Sequence, residues 1–167
     1  YMWLYRTSGC AKQAIVLYEY QPTRKAEHAE AFLKGFSGWL HADGYQGDTT
    51  DCRGTSVWWA AGHMRGENLT RYLEDGRLEL SNNRAERSIK PFVMGRKNWL
   101  FANTPGGAQA SAVIYSLIET AKENGLDPYR YLLWVLQNAP QLSETDETWA
   151  EKLLPARAPK ECYMPHK

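Results

Sequence analysis

Cysteine, net charge and long apolar runs are all scarce in this sequence of 167 residues. The three cysteines, Cys10, Cys52 and Cys162, are odd in number and far apart, which argues against a disulfide framework and suits a reducing compartment. No apolar run approaches the ~20 residues of a membrane span, so the sequence predicts no membrane partner. A net charge of +1 gives no global sign of a nucleic-acid-binding protein.

Common signatures of catalytic and metal sites are missing as well. The sequence has no GxxxxGK phosphate loop and no GxSxG nucleophile elbow. Cys52 and His63 are eleven positions apart, without the paired ligands of a structural zinc site. P-loop nucleotide binding, hydrolase chemistry of the α/β type and structural zinc are therefore poor first hypotheses.

What is present is enough apolar sequence for one folded domain, at 43% hydrophobic and 13% aromatic residues. Alternation and β-prone residues predict strands over 1–7, 14–20 and 38–45, the first two as an antiparallel hairpin. Apolar spacing of three and four predicts helices over 26–36, 69–76, 109–125 and 129–139. This order predicts a mixed α/β domain with helices packed on a sheet.

Other segments have weaker patterns. Residues 46–68 show no periodicity, residues 97–102 are typical of an extended segment, and 104–107 of a turn. The proline-containing tail over 141–167 is expected to be loosely held.

The segment LELSNNRAERSIKPFVMGRKNWLF, residues 78–101, concentrates positive charge around one acid, Glu86. Asn83 followed three residues later by Glu86 resembles a capping box, so a helix should begin there and stop or kink near Pro91. Glu86 then has a structural interpretation, since it can favour the helix dipole and pair with Lys90.

Five bases and one aromatic residue of this segment are candidate nucleic-acid contacts. Cations suit phosphate oxygens, and a nearby aromatic ring suits base stacking. The alternative is a solvated helix face. The candidates are Arg84, Arg87, Lys90, Arg96, Lys97 and Trp99.

Asp43 closes the third predicted strand and precedes Gly44. Strand ends in α/β folds present side chains to a shared cleft. A plain Asp-Gly turn is the competing interpretation.

The stretch HADGY, with the later run RYLEDGRLELSNNRAERSIKPFVMGRKNWLFANTPGGAQASAVIYSLIETAKENGLDPYRYL, resembles the catalytic region of the insertion-sequence sixty-six family of transposases. YMWLYRTSG, IVLYEYQPTRKAEHAEAFLKGFSGWLHADGY and the LLP near the end are similar to it too. The resemblance covers nearly the whole chain except residues 46–68 and about the last dozen.

The resemblance implies a ribonuclease-H-like mixed sheet flanked by helices, with an Asp-Asp-Glu catalytic triad. Its second acid falls on Asp43 and its third on Glu86. It also implies two Mg²⁺ (or Mn²⁺) ions bridging these carboxylates, with DNA as transposon end and target. A bacterial cytoplasmic, nucleoid-associated protein is implied, and a homo-oligomer within a transposition complex is compatible with the family.

Two departures from the family pattern set the remaining expectations. The first triad Asp falls upstream of Tyr1, and a long helical insertion between the other two acids is missing, leaving Asp43 and Glu86 only 43 positions apart. We therefore interpret 1–140 as an incomplete catalytic domain, with 46–68 as an irregular segment left by a deletion and 141–167 as a tail.

Because two carboxylates position a metal poorly, negligible cleavage is expected of the isolated chain. An inactive transposase remnant or DNA-binding module is the alternative function. An α/β interaction domain without a nucleic-acid role is a third, which the resemblance disfavours.

Overall fold

The structure, a computed structural model, describes residues 1–42, 55–59, 83–99 and 104–164. Within these ranges the chain is a mixed α/β protein, as predicted from the order of its elements. The strands are β1 (Met2–Arg6), β2 (Val16–Tyr20), β3 (Gly38–Ala42) and β4 (Thr55–Trp59). The helices are α1 (Ala26–Phe32), α2 (Asn83–Trp99), α3 (Pro105–Glu123), α4 (Pro128–Thr145) and α5 (Trp149–Lys152), followed by 3₁₀ turns at Pro155–Arg157 and Lys160–Cys162.

Strands β1 and β2 form the predicted antiparallel hairpin. Backbone hydrogen bonds join Tyr1 to Gln21 in both directions, and the Thr7 N–H donates to the Ile15 carbonyl at 3.0 Å. In this register the backbone N–H and carbonyl groups of the odd-numbered residues of β2 face β1. Those of the even-numbered residues face away from β1.

Strand β4 lies inside the segment for which the sequence pattern predicts nothing regular. It pairs in parallel with β3, with Gly38 opposite Thr55 and Ala42 opposite Trp59. The run TSVWW is β-branched and aromatic, but one strand of five residues is too short to show a period among glycines.

The chain divides into two compact units. The first contains residues 20–101, with residues 1–3 and 8–10, and so includes α1, β3, β4 and α2. The second contains residues 102–167 with residues 4–7 and 11–19, and so includes α3, α4 and the residues after them.

The core of the second unit forms where α3 turns into α4. Gly125 has φ +74°, the Leu126 N–H donates to the Ala121 carbonyl at 2.9 Å, and the Gly125 N–H donates to the Lys122 carbonyl at 3.0 Å. This is a Schellman ending, in which Leu126 folds back onto Ala121. Both are fully buried, together with Tyr131 and Cys162.

The tail is held more firmly than expected. Leu153 and Cys162 are buried, and the Cys162 carbonyl accepts from the Asp127 N–H at 2.7 Å. Helix α4 also continues past the predicted boundary at 140, to Thr145. The expectation of a loosely held tail was wrong for residues 141–164, because prolines were weighed without the apolar residues between them. The predicted helix over 69–76 lies outside the described residues.

Candidate functional site

The acid and bases singled out in the sequence lie on α2, which begins at Asn83 as predicted but does not stop at Pro91. The helix continues to Trp99, so the predicted extended segment at 97–102 was wrong for residues 97–99. Proline at position 91 removes one hydrogen bond from the helix and crowds the carbonyl four residues before it, which can kink a helix without ending it. Residues 100–102 lie outside the described ranges.

Four residues near the start of α2 share one exposed surface. Asn83, Glu86, Arg87 and Lys90 are all exposed and line a depression of about 290 Å³. At about 100° per residue these positions fall within an arc of roughly 100° around the helix. We call these four residues the α2 surface.

The spacing of three among Arg84, Arg87 and Lys90 predicts a row of bases on one flank of the helix, and Arg84 departs from it. It is half-buried and does not line the depression, and its carbonyl accepts a hydrogen bond from Ser88 Oγ at 3.0 Å. A spacing of three drifts by about 60° per step, so Arg84 and Lys90 lie roughly 120° apart around the helix. Spacing alone therefore overestimated how well the three bases align.

Glu86 is exposed in the first turn of α2, close to the positive end of the helix dipole. Within the described ranges, none of the ion pairs joins Glu86 to Lys90. The neighbouring Arg87 points back along the helix, where its Nε donates to the Asn83 carbonyl at 3.3 Å. Glu86 thus shares the α2 surface with two bases and is not in an ion pair with Lys90.

The remaining predicted site residues are placed only in part. Asp43 follows the last residue of β3 but lies outside the described residues. Arg96, Lys97 and Trp99 belong to the last part of α2. Their roles as metal ligand and DNA contacts stay predictions.

A complete metal site is not formed by the described part of the chain alone. Across its ranges, no group of three or more His, Cys, Asp or Glu side chains is placed to hold an ion. Glu86 is therefore at most one ligand of a set that needs Asp43 or other residues. Among the helices of the described ranges, none is long and apolar enough to cross a membrane.

The sequence did not reveal a polar row formed by Ser116 and Thr120 of α3 and by Asn124, its C-cap residue. This row hydrogen-bonds to the backbone of β2 and of the residues before it. Beside this row, burial and then the nearby Glu119 raise the pKa of Tyr18 well above its ordinary value. The available signal was a spacing of four in polar residues on an otherwise apolar helix.

Two sequence models of known families match the chain. The model described as "Transposase IS66 family" matches residues 1–65 and 58–110, and the "IS66 C-terminal element" matches residues 116–156. IS66 is the insertion-sequence sixty-six family that the sequence resembles.

Similar curated proteins include three uncharacterised proteins of Sinorhizobium fredii (strain NBRC 101917 / NGR234). The protein y4qI is 41% identical over 80 residues, y4hP 42% over 72 and y4jD 41% over 87. The matches cover 48, 43 and 52% of this chain, but only 14, 13 and 17% of those longer proteins.

No solved structure matches the chain significantly. The family assignment therefore rests on the two sequence models, which together span most of the chain from residue 1 to residue 156. By that coverage, the chain belongs to the IS66 family of transposases.

Proposed function

We propose that this chain is part of a DNA transposase whose parent chemistry is metal-dependent strand cleavage and transfer. The observation that carries the proposal is the family match over 1–110 and 116–156. Its substrate would be DNA, as transposon end and as target. The fold proposed for the complete enzyme is ribonuclease-H-like, and assembly into a homo-oligomer remains a prediction.

Asp43 and Glu86 are the proposed carboxylate ligands. Support comes from their position: Asp43 directly follows β3, which pairs in parallel with β4, and Glu86 is exposed at the start of α2. Carboxylate oxygens are preferred ligands of Mg²⁺ and Mn²⁺. Such ions, when bound, would activate the attacking hydroxyl and stabilise the leaving oxygen.

The bases of α2 are the proposed contacts to the DNA backbone. Arg87 and Lys90 are exposed and share the α2 surface with Glu86. The helix rises about 20 Å between Arg84 and Lys97, a length over which a DNA strand presents several phosphates. Arg84, Arg96 and Lys97, with Trp99 as a stacking partner, would extend this contact along the helix.

An inactive remnant or DNA-binding module is the second candidate, favoured by the way the family match is divided. The two matches to one family model overlap at residues 58–65, within the segment interpreted as left by a deletion. Two overlapping partial matches are what internal shortening of a longer parent sequence would produce. Such a chain would keep the bases of α2 while its carboxylates lost their partners.

DNA binding by the 167-residue chain tests the proposal. Fluorescence anisotropy with a labelled 30-base-pair duplex between 50 and 200 mM salt should show affinity falling steeply as salt rises. Reversing both charges in Arg87→Glu/Lys90→Glu should weaken binding at least about tenfold and reduce the log–log salt slope by about 2.

Arg157→Glu/Lys160→Glu is the matched control, because both bases are exposed on another part of the chain. It should weaken binding much less and keep the salt slope. Equal losses in the two variants, or a flat salt response of the parent chain, would contradict the proposed DNA surface.

A further inference from the structure

One side of α3, together with its C-cap residue, contacts the backbone of β2 and of Ala14 before it. The contacts are made by a row of side chains spaced four residues apart: Ser116, Thr120 and Asn124. All of these contacts lie within the second unit. They involve the backbone groups of β2 that face away from β1. None of these residues belongs to the α2 surface.

Thr120 makes the pair of backbone hydrogen bonds that a residue of a neighbouring strand would make with Val16. Its Oγ1 accepts a hydrogen bond from the Val16 N–H at 3.0 Å and donates one to the Val16 carbonyl at 2.9 Å. In an antiparallel sheet, two residues in a hydrogen-bonded pair exchange both bonds in the same way. The hydroxyl therefore satisfies both outward-facing backbone groups of Val16.

Ser116 and Asn124 repeat the contact on either side. Ser116 Oγ accepts from the Tyr18 N–H at 2.8 Å, and Asn124 Nδ2 donates to the Ala14 carbonyl at 2.7 Å. The row thus hydrogen-bonds to every second residue from Tyr18 back to Ala14, so the helix runs antiparallel to the strand.

The spacing of the row follows from helix and strand geometry. Four helical residues rise about 6.0 Å, and two strand residues span about 6.7 Å. Over the three contacts the mismatch accumulates to only about 1.4 Å, within the reach of short polar side chains. A helix with a hydrogen-bonding residue at every fourth position can therefore match a strand over three successive contacts.

An open strand edge is a template for pairing with another chain, because its N–H and carbonyl groups lack partners. The edge of β2 under α3 is closed: Val16 is 1% exposed and Tyr18 3%. Arg6 of β1 also holds the end of α3, through an ion pair of 3.1 Å with Glu123.

We propose that α3 acts as a substitute strand that keeps this edge of β2 from pairing with a second copy of the chain. The partner would be β2 of that copy, because identical edges can pair antiparallel about a two-fold axis. Loss of the hydroxyl row would leave the buried N–H groups of Val16 and Tyr18 without acceptors, and such groups favour any new backbone partner.

Thr120→Val tests this in the full chain, because it removes the hydroxyl and keeps the shape. Hydrogen exchange of the Val16 amide should become about tenfold faster, as expected for the loss of one hydrogen bond. Light scattering after size exclusion should show a dimer that grows with protein concentration. Thr120→Ser, which keeps the hydroxyl, should exchange at the parental rate and keep the oligomeric state of the parent chain.

Ser116→Ala tests the row at a second position, with Ser111→Ala as its control. The hydroxyl of Ser111 donates only within α3, to the Gly107 carbonyl at 2.9 Å. We expect faster Tyr18 exchange and dimer formation in the first variant and neither in the second.

The proposal is overturned if Thr120→Val and Ser116→Ala leave exchange at Val16 and Tyr18 unchanged. It is also overturned if exchange accelerates while both variants keep the oligomeric state of the parent chain, or if Ser111→Ala adds dimer to the same extent. These outcomes do not depend on DNA binding.

Discussion

Tyr131 shows how one residue fastens the end of the chain to its core. Its side chain is fully buried, and its hydroxyl donates to the Leu153 carbonyl at 2.8 Å. Burial, followed by the nearby Cys162, raises the pKa of Tyr131 to about 12. Because the folded-state pKa lies above the unfolded value of about 10, the stability it contributes is complete below pH 10 and is lost as the pH rises towards 12.

Tyr131→Phe should lower the free energy of unfolding by about 1–2 kcal/mol at pH 7, because the buried Leu153 carbonyl loses its donor. The difference from the parent chain should narrow between pH 10 and 12, since phenylalanine cannot ionise on unfolding. Urea denaturation at several pH values measures both effects. Tyr129→Phe is the control, since Tyr129 is 75% exposed. A difference that widens above pH 10 would contradict the assignment.

The structural environment of a residue was predictable from the sequence where it depends on residues nearby in the chain. The spacing of Asn83 and Glu86 correctly predicted a helix start, and the structure places Glu86 in its first turn. Arg84 was harder, because its burial depends on tertiary contacts that sequence spacing does not contain. The assignment of Asp43 and Glu86 as metal ligands comes from family resemblance, since spacing alone favoured a turn and a cap.

Helices α3 and α4 begin with the same kind of signal, an N-cap residue followed by proline. Asp127 Oδ1 accepts from the N–H groups of Tyr129 and Arg130, at 2.9 and 3.1 Å, and the helix that begins there agrees with the one predicted from residue 129. Thr104 Oγ1 accepts from the Gly107 N–H at 3.0 Å, but there the sequence was interpreted as a turn, which was wrong. The two glycines in the first turn of α3 favour a turn over a helix, so the capping signal of Thr104 was not recognised. In the folded chain, capping and tertiary packing outweigh the low helix propensity of glycine.

Asp127→Ala should lower the free energy of unfolding by about 1 kcal/mol, because two N–H groups at the start of α4 lose their acceptor. Asp127→Asn keeps an acceptor oxygen and should cost no more than a few tenths of a kcal/mol. Chemical denaturation of the three proteins provides the comparison. Equal losses in the two variants would show that charge, and not capping, stabilises the helix start.

For the whole molecule, the mixed α/β class and the β1–β2 hairpin followed from the order of periodic segments, but the pairing of β3 with β4 did not. Parallel pairing of β3 with β4 joins segments separated by residues 43–54, and no local pattern contains that information. The packing of residues 146–164 depends in the same way on distant partners, such as Cys162 beside the start of α4. The carboxylate pair proposed for Asp43 and Glu86 is a similar long-range claim.

Titration of the ¹⁵N-labelled 167-residue chain with Mn²⁺ tests that pair most directly, because the ion broadens nuclear magnetic resonance signals near its site. We predict that the amide signals of Asp43 and Glu86 broaden together at low Mn²⁺, and that Asp43→Asn or Glu86→Gln abolishes both effects. Glu147→Gln, at an exposed acid elsewhere, should change nothing. Broadening that is centred on other acids, or that persists in Glu86→Gln, would contradict the proposed metal site.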